Sequence, residues 1–135
     1  MDLEKGLQVF VGNLPPNCPQ PEHSMGMPPH SDHGLLSLLT QNGIGSFQLQ
    51  HNGMWINVNV NAMPYSFLVN IANQLEILSN GKYESILHGA VIKKKKKATT
   101  ISLVTTNGPS INTIVNPAPK LVNNGNDQPA YLGKK

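Results

Sequence analysis

Alternating apolar and polar residues predict a β-hairpin over residues 47–60. The pair Asn52-Gly53 interrupts the alternation, and this pair is typical of a two-residue type I′ turn. Such a turn places His51 opposite Met54 and directs the apolar residues of both strands to one face. We therefore expect one face of the hairpin to belong to the core and the other to be polar.

Short apolar runs bounded by Gly, Pro or Asn predict further strands, because such runs have the length and flanking residues of strands. These strands are expected at residues 6–12, 35–39, 66–71, 85–92 and 99–106. We expect the run at 35–39 to be a buried strand, and we expect the last two strands to be joined across a run of lysines.

Two segments differ from the strand pattern. Residues 73–78 predict a short helical turn that ends at Asn80-Gly81. Residues 13–29 contain six prolines and have no apolar period, which predicts extended coil. Several short strands without a long helical period indicate an all-β fold, a jelly roll or a related barrel-like sandwich. With 135 residues, the chain has the length of one small domain.

The composition agrees with turns and strands. Only 13% of residues are charged, against about a quarter in an average domain, while 16 Asn, 12 Gly and 11 Pro are present. No apolar stretch reaches the ~18 residues of a membrane span, and the first residues lack the order of a signal peptide. We therefore expect a soluble, cytoplasmic protein without a membrane partner.

The positive charge of the chain is local. The net charge of +3 comes from ten lysines, half of them at positions 93–97, and the chain has no arginine. This distribution argues against nucleic acid as a partner, because a binding surface would spread basic residues over the fold. The single cysteine, Cys18, excludes an internal disulfide and a zinc site built from several cysteines.

The sequence His30-Ser31-Asp32 stands directly before the predicted buried strand. Residues i and i+2 of an extended segment point the same way, so His30 and Asp32 supply two of the three ligands of a 2-His-1-carboxylate iron site. His88 is the candidate third ligand, because it is the one histidine flanked by apolar residues. A short H-x-D also arises by chance, and a strand histidine often has a purely structural role. The other histidines, His23, His33 and His51, are weaker candidates for metal ligands. We expect His33 and His51 to lie at the surface or to contact a ligand without binding the metal.

Three stretches carry a family resemblance: NLPPNCPQPE at 13–22, GMPPHSDHGLL at 26–36, and LEILSNGKY at 75–83, followed by His88. In this order they resemble the plant 2-oxoglutarate/Fe(II)-dependent dioxygenases, the isopenicillin-N-synthase-like enzymes of flavonoid, alkaloid and hormone metabolism. The resemblance extends from about residue 7 to residue 133.

The resemblance implies a double-stranded β-helix (jelly-roll) core in which His30, Asp32 and His88 hold Fe(II). It also implies 2-oxoglutarate as cosubstrate, dioxygen, ascorbate as reductant, and a small plant metabolite, flavonoid-like or phenolic, that is hydroxylated or desaturated. We expect a dioxygenase domain at residues 7–108, followed by a truncated extension at 109–135. Family members are typically more than twice as long, with a helical N-terminal region and a C-terminal helix that are not expected here.

The chain departs from the family pattern where 2-oxoglutarate is anchored. The R-x-S motif reads Thr100-Ile101-Ser102, so Ser102 is kept and the arginine is replaced by Thr100. A guanidinium gives a carboxylate two charge-assisted bonds, whereas a threonine hydroxyl gives one neutral bond. The tyrosine of N-x-Y is Pro15, and the arginine after the third ligand is Gly89.

Two interpretations of the chain follow from these departures. The first is an active 2-oxoglutarate-dependent dioxygenase, an oxidoreductase. The second is a catalytically impaired, truncated remnant that retains the iron-binding face but lacks the anchoring arginine. The lysines at 93–97, expected in a hairpin loop, are either a solvated loop or a source of an ammonium group that replaces the arginine.

Overall fold

The computed structural model describes residues 5–14, 26–42, 47–60, 62–91, 101–122 and 129–131. Within these ranges it contains eight strands and two short helices. In chain order they are β1 (Leu7–Asn13), β2 (Met27–His30), β3 (Leu36–Gln41), β4 (Phe47–His51), β5 (Met54–Asn57), β6 (Leu68–Ile71), α1 (Asn73–Leu78), β7 (His88–Ala90), β8 (Ser102–Gly108) and α2 (Pro119–Val122).

The strands form two four-stranded antiparallel sheets. One has the order β1-β8-β3-β6 and the other has the order β2-β7-β4-β5. The chain therefore passes repeatedly between the sheets, which is the arrangement of a jelly roll. The predicted all-β jelly-roll class is confirmed, and α2 is a second helical turn that the sequence pattern did not indicate.

The pairing of the hairpin and the position of the helical turn agree with the predictions made for them. The expected core face of the hairpin is confirmed at Phe47 of β4, which is buried, but not in β5, whose four residues are all exposed. His51 pairs with Met54, and both turn residues have positive φ, 49° at Asn52 and 77° at Gly53, as a type I′ turn requires. Helix α1 ends before Asn80 and Gly81, which also have positive φ. Both features depend on residues close in sequence, so the local pattern was sufficient to predict them.

The expected hairpin across the lysine run was wrong. Strand β7 is only three residues long instead of covering 85–92, and it pairs with β2 and β4. Strand β8 pairs with β1 and β3 in the other sheet, so the connection between β7 and β8 joins two sheets. The lysines at 93–97 lie outside the described residues.

The end of the proline-rich segment, 27–29, was expected to be coil but belongs to β2. Proline lacks a backbone N–H and is tolerated in an edge strand, where one side of the backbone needs no partner strand. Within the described residues, β2 is such an edge, because its one strand partner there is β7. Most of the rest of this segment, residues 15–25, lies outside the described residues.

The core lies between the two sheets. Leu39 of β3, Phe47 of β4 and Val60 are buried against one another, and partly buried apolar residues pack around them. These packing residues are Val58, Leu68 and Val104. The core therefore joins strands of both sheets and fixes their separation. None of the helices in the described ranges is long and apolar enough to span a membrane.

Candidate metal centre

The three predicted ligands meet at one point between β2, β7 and the loop before β3. One potential ligand atom from each of His30, Asp32 and His88 lies within 4.8 Å of the other two. The Asp32 Oδ1 atom is 3.4 Å from His88 Nε2 and 3.8 Å from His30 Nε2. The two imidazole rings are 4.4 Å apart at an angle of 61°. The sequence-based prediction that these side chains converge agrees with this geometry.

The sheet pairing explains the convergence. His30 is the last residue of β2 and His88 is the first residue of β7, and the two are directly opposite in the antiparallel register. Residues in such a pair direct their side chains to the same face. Asp32 follows two residues later, and its backbone carbonyl accepts a hydrogen bond of 2.9 Å from the Asn73 N–H. Helix α1 therefore holds the loop that carries the carboxylate.

Backbone carbonyls determine which imidazole nitrogens face the centre. The Nδ1 atom of His30 donates to the Pro28 carbonyl at 2.8 Å, and Nδ1 of His88 donates to the Ile86 carbonyl at 3.1 Å. A carbonyl only accepts, so the Nδ1 atoms carry hydrogen and the neutral ring has its free lone pair on Nε2. Both Nε2 atoms approach Asp32. Donation from the other ring nitrogen to a backbone carbonyl is typical of metal-ligating histidines.

Two hydroxyl groups, of which that of Ser37 is buried, support the carboxylate. Ser37 of β3 is completely buried and hydrogen bonds to the Asp32 side chain, while its Oγ lies 3.0 Å from Oγ1 of Thr106 on β8. An ionised carboxylate only accepts, so Ser37 donates to Asp32 and Thr106 donates to Ser37. This pair was not predicted from the sequence, because Ser37 lies within an apolar run.

The pKa values of the two buried groups shift in opposite directions. Burial raises the pKa of Asp32, but hydrogen bonds from His88 and Ser37 outweigh burial and lower it below its ordinary value. Burial lowers the pKa of His88, but its bonds to Asp32 and to the Ile86 carbonyl outweigh burial and raise it. Each shift thus favours the charged form of its group, and a cation bound here would take the place of a proton on Nε2.

The donor atoms fit a divalent transition metal. Two imidazole nitrogens and one carboxylate oxygen on one side of a site are the ligand set typical of non-haem Fe(II) oxygenases. A model of the 2OG-Fe(II) oxygenase superfamily matches residues 6–109, which is most of the chain. The chain belongs to this family. The family predicted from the sequence motifs is therefore confirmed.

Similar proteins include plant members of this family. The chain is 41% identical over 127 residues to 2-oxoglutarate-dependent dioxygenase 19 of Oryza sativa subsp. japonica. This alignment covers 93% of the chain and 36% of the rice protein. It is also 37% identical over 130 residues to a leucoanthocyanidin dioxygenase of Malus domestica. This alignment covers 96% of the chain and 35% of the Malus protein. The chain thus spans about a third of the length of these relatives.

Solved structures share the fold. The crystal structure of JOX2 in complex with 2OG, Fe and JA superimposes with a TM-score of 0.85 at 30% identity, covering 95% of the chain and 37% of JOX2. The dioxygenase for auxin oxidation 1 from Arabidopsis thaliana superimposes with a TM-score of 0.75 at 19% identity, covering 87% of the chain and 44% of that protein. The enzyme class expected from the sequence, a 2-oxoglutarate-dependent oxidoreductase, is the class of this oxygenase family.

The residues expected at the 2-oxoglutarate site are only partly described. Ser102 begins β8, is buried, and accepts a hydrogen bond of 3.3 Å from Nδ2 of Asn13, its partner in β1. Thr100 and Pro15 lie outside the described residues. Because Asn13 donates to Ser102 Oγ, the Ser102 hydroxyl hydrogen is available to another acceptor.

Gly89 of β7 and Gly34 in the loop before β3 allow close backbone contacts beside this candidate site. At Gly89 an added Cβ would be 2.9 Å from the Met27 carbonyl oxygen, so an arginine there would displace β2 from β7. Gly34 has a φ of +91°, and a Cβ there would be 2.7 Å from the Asn107 carbonyl oxygen. The tight contact at Gly34 was not predicted; its signal in the sequence is a glycine two residues after Asp32.

The remaining histidines lie away from this role. His33 and His51 are exposed, which agrees with the surface positions expected for them. His23 lies outside the described residues. Among the described residues, the group of three side chains arranged to hold a metal is therefore the predicted one, His30, Asp32 and His88.

Proposed function

We propose that the chain acts as an Fe(II)- and 2-oxoglutarate-dependent dioxygenase in which His30, Asp32 and His88 hold the iron. The observation that supports this most strongly is the convergence of two Nε2 atoms and one carboxylate oxygen, with both Nδ1 atoms bound to backbone carbonyls. His30, Asp32 and His88 would hold the ion from one side and would leave its other side open to the cosubstrate and dioxygen. When bound, Fe(II) supplies the coupled oxidation of 2-oxoglutarate and a second substrate by dioxygen.

The protein's own contribution is orientation and exclusion of water. The carbonyls of Pro28 and Ile86 fix the rotation of the two imidazole rings, and the Ser37 hydroxyl restrains the carboxylate. The Phe47 ring lies 5.3 Å from the His88 ring and covers one side of it with an apolar surface. Such a covered site favours metal ligation over hydration of the ligand side chains.

Ser102 is the described residue we propose to contact the distal carboxylate of 2-oxoglutarate. Its hydroxyl accepts from Asn13 and can donate its own hydrogen to a carboxylate oxygen. Thr100 would add one neutral hydrogen bond instead of the pair given by an arginine. Loss of one partner of a buried charge pair costs about 2–5 kcal/mol, or roughly thirty-fold to several thousand-fold in affinity. We therefore expect weak cosubstrate binding.

The substrate class we propose is a small plant metabolite, flavonoid-like or phenolic, that is hydroxylated or desaturated, with ascorbate as reductant. The names of two relatives support this class. One is the leucoanthocyanidin dioxygenase of Malus domestica, and the other is the oxoglutarate-dependent flavonoid 7-O-demethylase 1 of Ocimum basilicum, which is 37% identical over 101 residues.

A second candidate function is an iron-binding chain that no longer turns over 2-oxoglutarate. The observation that favours it is Thr100 in place of the anchoring arginine, in a chain without any arginine. The two candidates share the metal centre and differ in cosubstrate binding, so one substitution separates them.

The test is the oxygen-dependent conversion of 2-oxoglutarate to succinate by the iron-loaded chain with ascorbate. We expect slow succinate formation that is lost in His88→Ala and that increases in Thr100→Arg. If the wild type forms no succinate and the Thr100→Arg variant does, the second candidate function is established. If neither the wild type nor Thr100→Arg forms succinate, although both are folded and contain iron, the dioxygenase proposal is overturned.

A further inference from the structure

Helix α1 contacts the two segments that carry the metal ligands. At its N-terminal end, the Asn73 and Gln74 N–H groups donate to the carbonyls of Asp32 and Gly34, at 2.9 and 2.8 Å. One turn later, the Glu76 carboxylate points toward the segment that precedes β7. The helix is thus placed between the loop of Asp32, which leads into β3, and the segment that leads into β7, and these two strands belong to different sheets.

The Glu76 carboxylate accepts two short hydrogen bonds from outside the helix. Its Oε2 accepts from the Ser85 N–H at 2.6 Å, and its Oε1 accepts from the Tyr131 hydroxyl at 2.7 Å. Bonds to a charged acceptor are stronger than neutral ones. Both oxygens are used, so the orientation of the carboxylate is fixed by Tyr131 on one side and by Ser85 on the other.

The contact at Ser85 is next to the group that orients His88. Ser85 directly precedes Ile86, whose carbonyl accepts the Nδ1 hydrogen of His88 at 3.1 Å. Residues 84–87 are in no strand, and β7 contributes only three residues. A further hydrogen bond to this segment comes from the Gln50 N–H, which donates to the Leu87 carbonyl at 2.8 Å.

We propose that Glu76 is a positioning residue for the metal centre: by holding Ser85 it fixes the Ile86 carbonyl and therefore the rotation of the His88 ring. Tyr131 has a supporting role, because it occupies Oε1 and leaves Oε2 for Ser85. The inference rests on the proposed metal-binding function of His88, and it assigns to a residue outside the ligand set a measurable effect on metal affinity.

Two substitutions at Glu76 separate hydrogen bonding from charge. Glu76→Gln loses the charge, but its amide oxygen can accept from Ser85 and its NH₂ group can donate to the Tyr131 oxygen. Glu76→Asp keeps the charge, but its shorter side chain cannot reach both partners. Two controls accompany them: Glu84→Gln removes an exposed charge in the same segment, and Ile77→Ala destabilises the same helix without touching Ser85.

The first measurement is the affinity of each variant for Co(II), used as a spectroscopic substitute for Fe(II), in conditions where unfolding curves show the chain to be folded. We expect Glu76→Asp to weaken Co(II) binding about fivefold to tenfold, near the lower end of the loss caused by removing an outer partner of a metal ligand. Glu76→Gln, Glu84→Gln and Ile77→Ala should change the affinity less than about twofold, because they keep the bond to Ser85 or leave the segment intact.

The second measurement is the ¹⁵N NMR signals of the His88 ring in the metal-free chain, which should shift in Glu76→Asp and stay in place in Glu76→Gln. Equal behaviour of all variants in both measurements would overturn the inference. A larger loss in Glu76→Gln than in Glu76→Asp would also overturn it and would indicate a charge effect. If the wild type binds no Co(II) while the NMR pattern is as expected, the proposed metal function fails and the positioning of His88 by Glu76 stands.

Discussion

Replacing Gly34 by alanine tests the tight contact that holds the loop of Asp32 against β8. Gly34 has a φ of +91°, where an L side chain is strained by about 1–2 kcal/mol. The new methyl group would also lie 2.7 Å from the Asn107 carbonyl oxygen and 3.3 Å from its carbon. That carbonyl accepts the Leu35 N–H at 2.7 Å, so it cannot move away without breaking this bond.

The structure provides a matched control for the strain. Gly53 in the hairpin turn has a φ of +77°, but an added Cβ there has no atom within 4 Å. Gly53→Ala should therefore cost only the strain of a left-handed residue, about 1–2 kcal/mol. Gly34→Ala should cost about 1–3 kcal/mol more than Gly53→Ala, because overpacking against backbone adds to the strain.

The assay is equilibrium unfolding in urea, followed by circular dichroism, with the two variants and the wild type measured together. Equal slopes of the free energy of unfolding against urea would show that the comparison is valid. The expected result is a clearly lower midpoint for Gly34→Ala than for Gly53→Ala. If the two variants lose the same stability, the close contact between Gly34 and Asn107 does not contribute, and the reasoning is wrong.

Three further substitutions test other parts of the centre. Ser37→Ala should weaken Co(II) binding about tenfold, because it removes a hydrogen bond that orients the Asp32 ligand. The control Thr105→Val, on the opposite face of β8, should leave the Co(II) affinity unchanged. Equal effects of the two substitutions would contradict the proposed role of the Ser37 hydroxyl. Gly89→Ala should lower the free energy of unfolding by about 1–3 kcal/mol in urea, because its Cβ would be 2.9 Å from the Met27 carbonyl oxygen; a neutral result would refute the close contact. Phe47→Ala should cost about 3–5 kcal/mol of stability by leaving a cavity in the core beside His88, measured in the same way; a loss below ~1 kcal/mol would show that Phe47 is not part of the core.

The features predicted correctly from the sequence depend on residues that are close along the chain. The hairpin follows from Asn52-Gly53 and the alternation around it, and the pairing of His30 with Asp32 follows from their spacing in an extended segment. His88 was selected because its apolar neighbours indicated a strand, and it is the first residue of the short strand β7. These signals are local, so they can be used for prediction even when the order of the strands in the sheets is unknown.

The features that were missed depend on partners far apart in the chain. Ser37 lies in a run of leucines, and its role becomes visible only when β3 pairs with β8, which brings Thr106, 69 residues away, to its hydroxyl. The assignment of β7 and β8 to different sheets likewise follows from long-range pairing with β2 and β1. Strand β2 was not predicted because it contains two prolines. An edge strand tolerates proline, but the composition of a segment does not indicate that the strand lies at an edge.

We propose that His30, Asp32 and His88 form an iron site that accepts 2-oxoglutarate. An anaerobic absorption titration of the chain with Fe(II) and then 2-oxoglutarate tests this directly, with His88→Ala measured in parallel. We expect a charge-transfer band of the iron–2-oxoglutarate chelate that saturates in the wild type and is lost in His88→Ala. A folded wild-type chain that develops no band, or a band that persists without His88, would contradict it.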